Sequence, residues 1–473
     1  MYSTLATAAR RCRLLWVGAL LALAGLNPAC DREPPAARNL VIICIDTLRM
    51  DRLERFGGER ITTPELSRLM DAGTTWSQAQ STSNWTVPAV GSLLTGRLPA
   101  AHGAIVPGDR KNLGVEPKTP NVLDPSVPLL SEILQGRGVH TALFSGNPYL
   151  YGRFQAGFDV VRVAKEDGDR QLPEILSWID RVSPDRFFLY WQIMDLHQPI
   201  DPPAEDARRF LPEPPPDFPS ARYAGWSWGN LAPETANDPE FARYRSVKLA
   251  LYDGALHHVD DLIAGLVGRL RDRGLADGTL IVVTADHGEE FWDHALAQRA
   301  SGDPRGIWGI GHGHTMYQEL LRVPLLLVGP GVPRGRAVDC PASLADVLPT
   351  VLTRLGVAMP TALEGRDLSP ALGATPPDCA DRLLVSDSPA WGADSAAIRA
   401  GRWKLVWRKG EPLALFDLQL DPEERRSLAD ARPELAEDLA ARLREARAKT
   451  TTTRAAEVNA ELRAKLQTLG YVP

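Results

Sequence analysis

Four residues far apart in this sequence could together make one alcohol reactive: Asp46, Thr86, Asp286 and His287. Two carboxylates, an imidazole and a hydroxyl form a mixed oxygen and nitrogen donor set for one divalent cation. Mn2+ or Zn2+ suits that set better than Ca2+, although the sequence does not choose among the three. A cation there would lower the pKa of the Thr86 hydroxyl, orient its oxygen and offset charge on an oxyanion ester. His197, His312 and His314 are candidates to bind the ester's non-bridging oxygens, and His197 and His312 also to protonate its leaving group. The implied chemistry is displacement at phosphorus or sulfur through a covalent Thr86 intermediate, completed by water or another alcohol. Taken singly, each residue has a plainer use. Asp46 and Thr86 fit helix caps, and a histidine beside a strand end is more often solvated or structural than a ligand. The set, not any member, carries the reading.

The elements that must position these side chains are legible around them. Asn39–Ile45 (NLVIICI), Phe187–Ile193 (FFLYWQI) and Thr279–Thr284 (TLIVVT) are unbroken apolar runs. Such runs suit strands buried on both faces of a parallel sheet. Asp46, His197 and Asp286-His287 stand at or just past their carboxyl ends, where open α/β sheets gather ligands. Val139–Phe144 reads as a further strand, ending at Ser145-Gly146-Asn147. Pro88 favours an early helical position, so Thr86 is expected at a helix N-terminus, where unpaired N–H groups favour an anion. Thr63-Pro64-Glu65 is expected to start a helix with Thr63 as its cap. Leu129–Leu134 and Arg245–Leu270 also read as helices, the latter with Asp253, Asp260 and Asp261 as solvated or capping charges. Gly309–Thr315 is a glycine-rich loop bearing His312 and His314, followed by a helix and strand over Tyr317–Val328. Alternating strands and helices predict an α/β layered sheet flanked by helices. Beyond Gly331 the pattern changes. A helix over Leu344–Leu355 is followed by short strands at Leu383–Ser386, Ser395–Ala400, Trp403–Trp407 and Ala414–Asp417, then a charged helix over Pro433–Ala448. That describes a smaller C-terminal α+β subdomain.

The chain has 473 residues and a net charge of -6, with no long basic run, so nucleic acid is not an expected partner. Its five cysteines lack metal-site spacing. Cys44 reads as a buried small residue, and Cys340 and Cys379 could pair after export. Arg10, Arg11 and Arg13 precede the apolar run Leu14–Leu26, with Ala29-Cys30 after it; this is the layout of an export signal. The Cys30 context also resembles a lipoprotein signal. We therefore expect residues 1–30 as signal, 31–38 as tether, 39–357 as catalytic domain and 358–473 as C-terminal subdomain and helical tail. The expected location is periplasm or cell envelope, with membrane attachment through an acylated Cys30. Residues 201–240 are rich in proline and contain Trp226 and Trp228; they are read as a lid or substrate wall.

The segments NLVIICIDTLRMDRL, TTPELSRLMDAGTTW, STSNWTVPAVGSLLTGRLPAAHG, MDLHQP, VVTADHGEEF and GHGHTMYQELLRVPLLL resemble, in order, the sulfatase family of the alkaline phosphatase superfamily. GRWKLVWR and ALFDLQLDPEE resemble its C-terminal subdomain. The resemblance implies an alkaline phosphatase-like fold, a metal at Asp46, Asp286 and His287, Thr86 as nucleophile and metal ligand, and substrate contact by His197 and His312. His314 is a second candidate on the same loop, and His102 and Arg97 are expected in structural roles. Three departures are informative. Thr86 stands where sulfatases carry the cysteine or serine that becomes formylglycine, and its Cβ methyl forbids that conversion. Val90 replaces the motif arginine, and Thr47 replaces an acidic ligand of many members. Relatives with threonine and an Asp-His pair act on phosphorus. The expected function is thus a metal-dependent hydrolase or transferase of phosphoric esters, on a small-molecule, glycan or lipid substrate. The alternatives are a sulfuric ester hydrolase working without formylglycine, and a catalytically silent envelope binding protein.

Overall fold

The computed structural model describes residues 36–105, 123–211, 213, 239–297, 309–373, 379, 382–408 and 411–449. The expected signal, Cys30, and Trp226 and Trp228 lie outside the described residues. Eight strands form the main sheet: β1 (Asn39–Ile45), β2 (Thr74–Trp76), β3 (His140–Ser145), β4 (Val160–Val163), β5 (Phe187–Ile193), β6 (Thr279–Thr284), β7 (Leu325–Val328) and β8 (Arg336–Val338). Their spatial order is β8-β2-β7-β6-β1-β5-β3-β4. β1 pairs in parallel with both β5 and β6, and β3 in parallel with β5 and β4. β7 runs antiparallel to β6 and β2. Every residue of β1, β5 and β6 is buried. These three apolar runs form the centre because helices cover both of their faces.

The covering helices include α1 (Pro64–Ala72), α2 (Thr86–Thr95), α3 (Leu130–Gln135), α4 (Gly168–Val182), α5 (Ala204–Phe210), α6 (Pro239–Asp272) and α7 (Val347–Arg354). α4 turns Ile175, Trp178 and Ile179 inward, and Trp178 meets Phe187 of β5 edge to face at 5.9 Å. Two expectations about α6 and α1 need correction. Asp253 and Asp260 are not solvated: both are buried by neighbours packed against the long helix. Asp253 pairs with Arg52 and Arg60. Asp260 accepts the backbone N–H groups of Glu65 and Leu66 at 2.7 and 2.8 Å. It therefore caps α1 from a distance, whereas Thr63 makes no side-chain cap bond among the described residues.

The second sheet is an antiparallel meander of β9 (Leu383–Ser386), β10 (Ser395–Ala400), β11 (Trp403–Arg408) and β12 (Glu411–Asp417). Its residues alternate between two partners. Ala396, Ile398, Leu405, Trp407 and Leu415 pack on α8 (Pro433–Lys449) through Ala436, Leu439, Ala440 and Leu443. Ala397, Val406, Ala414 and Phe416 pack instead on Met316, Tyr317 and Leu321 of the larger layer. Cys340 and Cys379 form a disulfide, a bond that persists in oxidising compartments. Cys44 is buried and free. No helix among the described residues is long and apolar enough to cross a membrane.

Candidate active site

The site forms at the carboxyl ends of the central parallel strands. β1 delivers Asp46, whose N–H continues the ladder to the Ile193 carbonyl at 2.9 Å. β6 runs out at Thr284 and delivers Asp286 and His287 from the adjacent track. The Thr47 backbone adopts φ 60, a left-handed conformation uncommon for a β-branched residue. Its carbonyl accepts the Tyr252 hydroxyl at 2.7 Å, which holds that turn against Asp46. Thr86 is the first residue of α2, as the sequence predicts. α2 seats closely because Gly91 faces His102: a Cβ there would meet the imidazole Cε1 at 2.6 Å. His102 accepts the Ala104 N–H on Nδ1, leaving Nε2–H for the Pro88 carbonyl at 3.1 Å. Burial lowers its pKa to about 3, so it is a neutral packing group, as expected for a structural role.

The four candidates converge. Thr86 Oγ1 lies 3.4 Å from Asp46 Oδ2 and 3.3 Å from His287 Nε2. His287 Nε2 lies 3.7 Å from Asp46 Oδ1 and 3.5 Å from Asp286 Oδ2. Nδ1 of His287 donates to the Gly288 carbonyl at 2.8 Å, which turns the Nε2 lone pair to the centre. Asp46, Asp286 and His287 are fully buried. Burial opposes ionisation of both carboxyls. His287, His197 and His312 nevertheless hold Asp46 below its ordinary range, while burial and the Asp46 charge push Asp286 well above it. Asp46 Oδ1 and Thr47 Oγ1 are buried without a hydrogen-bond partner among the described residues. Two crowded carboxylates, an orphaned oxygen and an aimed imidazole nitrogen fit one divalent cation.

Two residues at this centre were not singled out by sequence. Asn147, just past β3, donates Nδ2 to Asp46 Oδ2 at 3.0 Å and to Thr86 Oγ1 at 3.1 Å. Gln192 of β5 donates Nε2 to Asp46 Oδ2 at 3.0 Å and to Asp286 Oδ2 at 3.1 Å. A glutamine inside the apolar run FFLYWQI was the available signal for the second. The histidines form a row: the His312 ring lies 4.4 Å from His287 and 5.0 Å from His197. Behind them the buried Glu289 carboxylate lies 3.3 Å from His312 Nδ1 through either oxygen, and burial raises its pKa to about 7. His197 Nδ1 donates to the Gln198 carbonyl at 2.7 Å, and the buried Lys248 donates to Gln198 Oε1 at 2.7 Å. His314 turns to another task, pairing with buried Glu290 at 2.8 Å. Asp195, just past β5, turns away from this centre and accepts the Gly168 N–H at 3.0 Å. A cleft of about 480 Å3 opens beside His197, walled by Met194, Gln198, Glu166, Asp169 and His258.

Comparison with known proteins agrees with this architecture. The Xenopus laevis protein "Arylsulfatase K" is 29% identical over 208 residues, which is 41% of this chain and 36% of that protein. The chain thus aligns with about a third of the length of that relative. "Ulvan-active sulfatase" of Formosa agariphila is 25% identical over 432 residues, covering 84% of this chain and 78% of the relative. The phosphonate monoester hydrolase of Agrobacterium radiobacter superposes with a TM-score of 0.66 at 20% identity, covering 87% of this chain and 96% of that one. Members of this superfamily use a divalent metal, and the cluster at Asp46, Asp286 and His287 is a candidate place for one. With the family model described as Sulfatase matching residues 38–357, the chain belongs to the sulfatase family of the alkaline phosphatase superfamily.

Proposed function

We propose that the protein hydrolyses a phosphoric ester with a single negative charge, using Thr86 as an unmodified nucleophile. The observation that carries this reading is the position of Thr86 Oγ1, within 3.4 Å of Asp46 and 3.3 Å of His287. Asp46, Asp286 and His287, with Thr86 itself, would hold a divalent cation, which supplies a lowered hydroxyl pKa and charge compensation for the ester. Thr86 Oγ1 forms a bond to phosphorus as the bond to the leaving oxygen breaks. Asn147 donates to Thr86 Oγ1 and His287 Nε2 is reserved for the cation, so the hydroxyl passes its proton to Asp46 Oδ2, and the electron pair of that O–H bond forms the new bond to phosphorus. His197 has Nδ1 committed to the Gln198 carbonyl, so Nε2 is its exchangeable nitrogen. As imidazolium it hands a proton to the leaving alkoxide. As imidazole it then takes one from the water that cleaves the Thr86 ester. His312, between His197 and His287, contacts the non-bridging oxygens. The cleft beside His197 accepts the alcohol portion, whether small molecule or glycan.

A sulfuric ester is the second reading, favoured by the relative from Formosa agariphila. The two separate on matched p-nitrophenyl phosphodiester, p-nitrophenyl phosphate and p-nitrophenyl sulfate, assayed with Mn2+ or Zn2+. The proposal expects the diester to be preferred. It expects Thr86→Ala to lose roughly 10³-fold or more in kcat, with Thr86→Ser retaining activity. Turnover of the sulfate alone, with a rate unchanged in Thr86→Ala, would overturn it.

A further inference from the structure

We infer that α5 and α6 carry a second divalent-metal site, built from Asp206, His257 and Asp261 and suited to zinc. Asp206 projects from α5, while His257 and Asp261 stand one turn apart on α6 and so share a face. His257 Nδ1 lies 2.8 Å from Asp206 Oδ1 and 3.8 Å from Asp261 Oδ2. One ligand atom from each of the three falls within 4.8 Å of the others. Gly254 sets the approach of the helices. A Cβ at that position would lie 3.1 Å from Ala207 Cα and N, so the backbones close one turn before His257 and the short Asp206 side chain reaches it. Asp206 and His257 are 9% and 8% exposed, whereas the Asp261 side chain is 65% exposed and leaves an entry path.

The buried Asp206 carboxylate is shared between two histidines. The second Asp206 oxygen lies 3.4 Å from His258 Nδ1, and His258 Nε2 lies 3.0 Å from Asp169 Oδ2 on α4. Three carboxylates therefore surround two imidazoles. Of the three, Asp206 is buried while Asp261 and Asp169 are exposed, so an ion here would sit between one buried and one solvent-facing oxygen donor. One nitrogen and two carboxylate donors select a borderline ion such as Zn2+, Co2+ or Ni2+ over Ca2+. His258 and Asp169 also wall the cleft beside His197. An ion here would offset negative charge on a wall that an anionic ester must pass, a consequence that rests on the proposed function, whereas the site itself does not.

Metal counting on chelated, re-titrated full-length protein tests the site independently of activity. With Zn2+ as probe, two equivalents are expected per chain, one in His257→Ala, one in Asp286→Asn and none when both changes are combined. Cobalt absorption in the Asp286→Asn background is expected to appear on titration and to vanish in His257→Ala. Asp206→Asn, close to isosteric, guards against a folding defect. In the Asp286→Asn background it should abolish the rise in Tm that excess zinc produces, with Ca2+ giving no rise in either protein. The inference is overturned if Asp286→Asn binds no zinc, or if its zinc and cobalt signals survive His257→Ala and Asp206→Asn unchanged.

Discussion

Replacing Asn147 with alanine removes one amide and, with it, both hydrogen bonds by which it bridges Thr86 and Asp46. Its Nδ2 donates at 3.0 Å to a buried carboxylate oxygen and at 3.1 Å to the Thr86 hydroxyl, the proposed nucleophile. A bond to a charged acceptor is worth ~1.5–3 kcal/mol and one to a neutral acceptor ~0.5–1.5 kcal/mol. The metal ligands remain, so only part of this sum enters the barrier, about 2–3 kcal/mol. At ~1.36 kcal/mol per decade, kcat/KM should fall roughly 30- to 150-fold. Because the bonds hold the nucleophile rather than the alcohol portion of the substrate, the loss should sit in kcat with KM little changed. Asn147→Asp keeps the shape but sets a second carboxyl about 3 Å from Asp46, a repulsion of ~5 kcal/mol at an effective dielectric of 20. That variant should be more impaired than Asn147→Ala at pH 7 and regain activity as the pH falls and the new carboxyl takes a proton. Steady-state kinetics on the phosphodiester from pH 5 to 9, with bound metal measured alongside, distinguishes these outcomes. A fully metallated Asn147→Ala within about threefold of the parent would refute the claim that this amide orients the alcohol.

Two further outcomes concern stability. Burial alone would lower the pKa of His294, but its hydrogen bond to Glu319 and that carboxylate's charge raise it to about 9. A histidine raised in the folded state stabilises fully below its ordinary pKa near 6.5 and loses that stabilisation as pH rises through 9. Unfolding free energy should therefore drop by ~2–3 kcal/mol between pH 6.5 and 9.5, and His294→Gln should be nearly flat there in urea titrations. Asp260→Ala should cost ~2 kcal/mol, because two N–H groups at the start of α1 lose their acceptor. Hydrogen exchange would show the change as faster exchange confined to the first turn of α1.

The strands that carry the centre were legible because each is a continuous apolar run ended by a polar residue. Those runs alone put Asp46, Asp286 and His287 at strand ends. Asn147 and Gln192 could not be assigned the same way. Their use depends on β5 lying between β1 and β3, an order that no local pattern states. Gln192 reaches both carboxylates because it is in register with Cys44, two residues before Asp46. Strands β2 and β8, at one end of the sheet, have three residues each, too few to show a period. Asp253 and Asp260 read as solvated or capping charges on a long helix, and only capping, by Asp260, holds, since the sequence does not show which helix faces will be covered. Their burial follows from α1 and the segment before it packing across α6.

Charge then decides what kind of ester this centre suits. Val90, in place of the motif arginine, is fully buried in the core and contributes no cation. The positive lining falls instead to the imidazoles of His197, His312 and His287. They cannot all be charged at ring separations of 4.4 and 5.0 Å: burial, His287 and His197 together hold His312 well below its ordinary pKa. A divalent ion would cancel Asp46 and Asp286, leaving one imidazolium to face the substrate. One unit of positive charge matches a phosphodiester or a sulfate ester, each bearing a single negative charge, and leaves a dianionic phosphate monoester uncompensated. A fixed guanidinium would remove that discrimination. Under the proposed function, the loss of the arginine and an unmodified Thr86 nucleophile go together, because both would describe a centre for monoanionic esters.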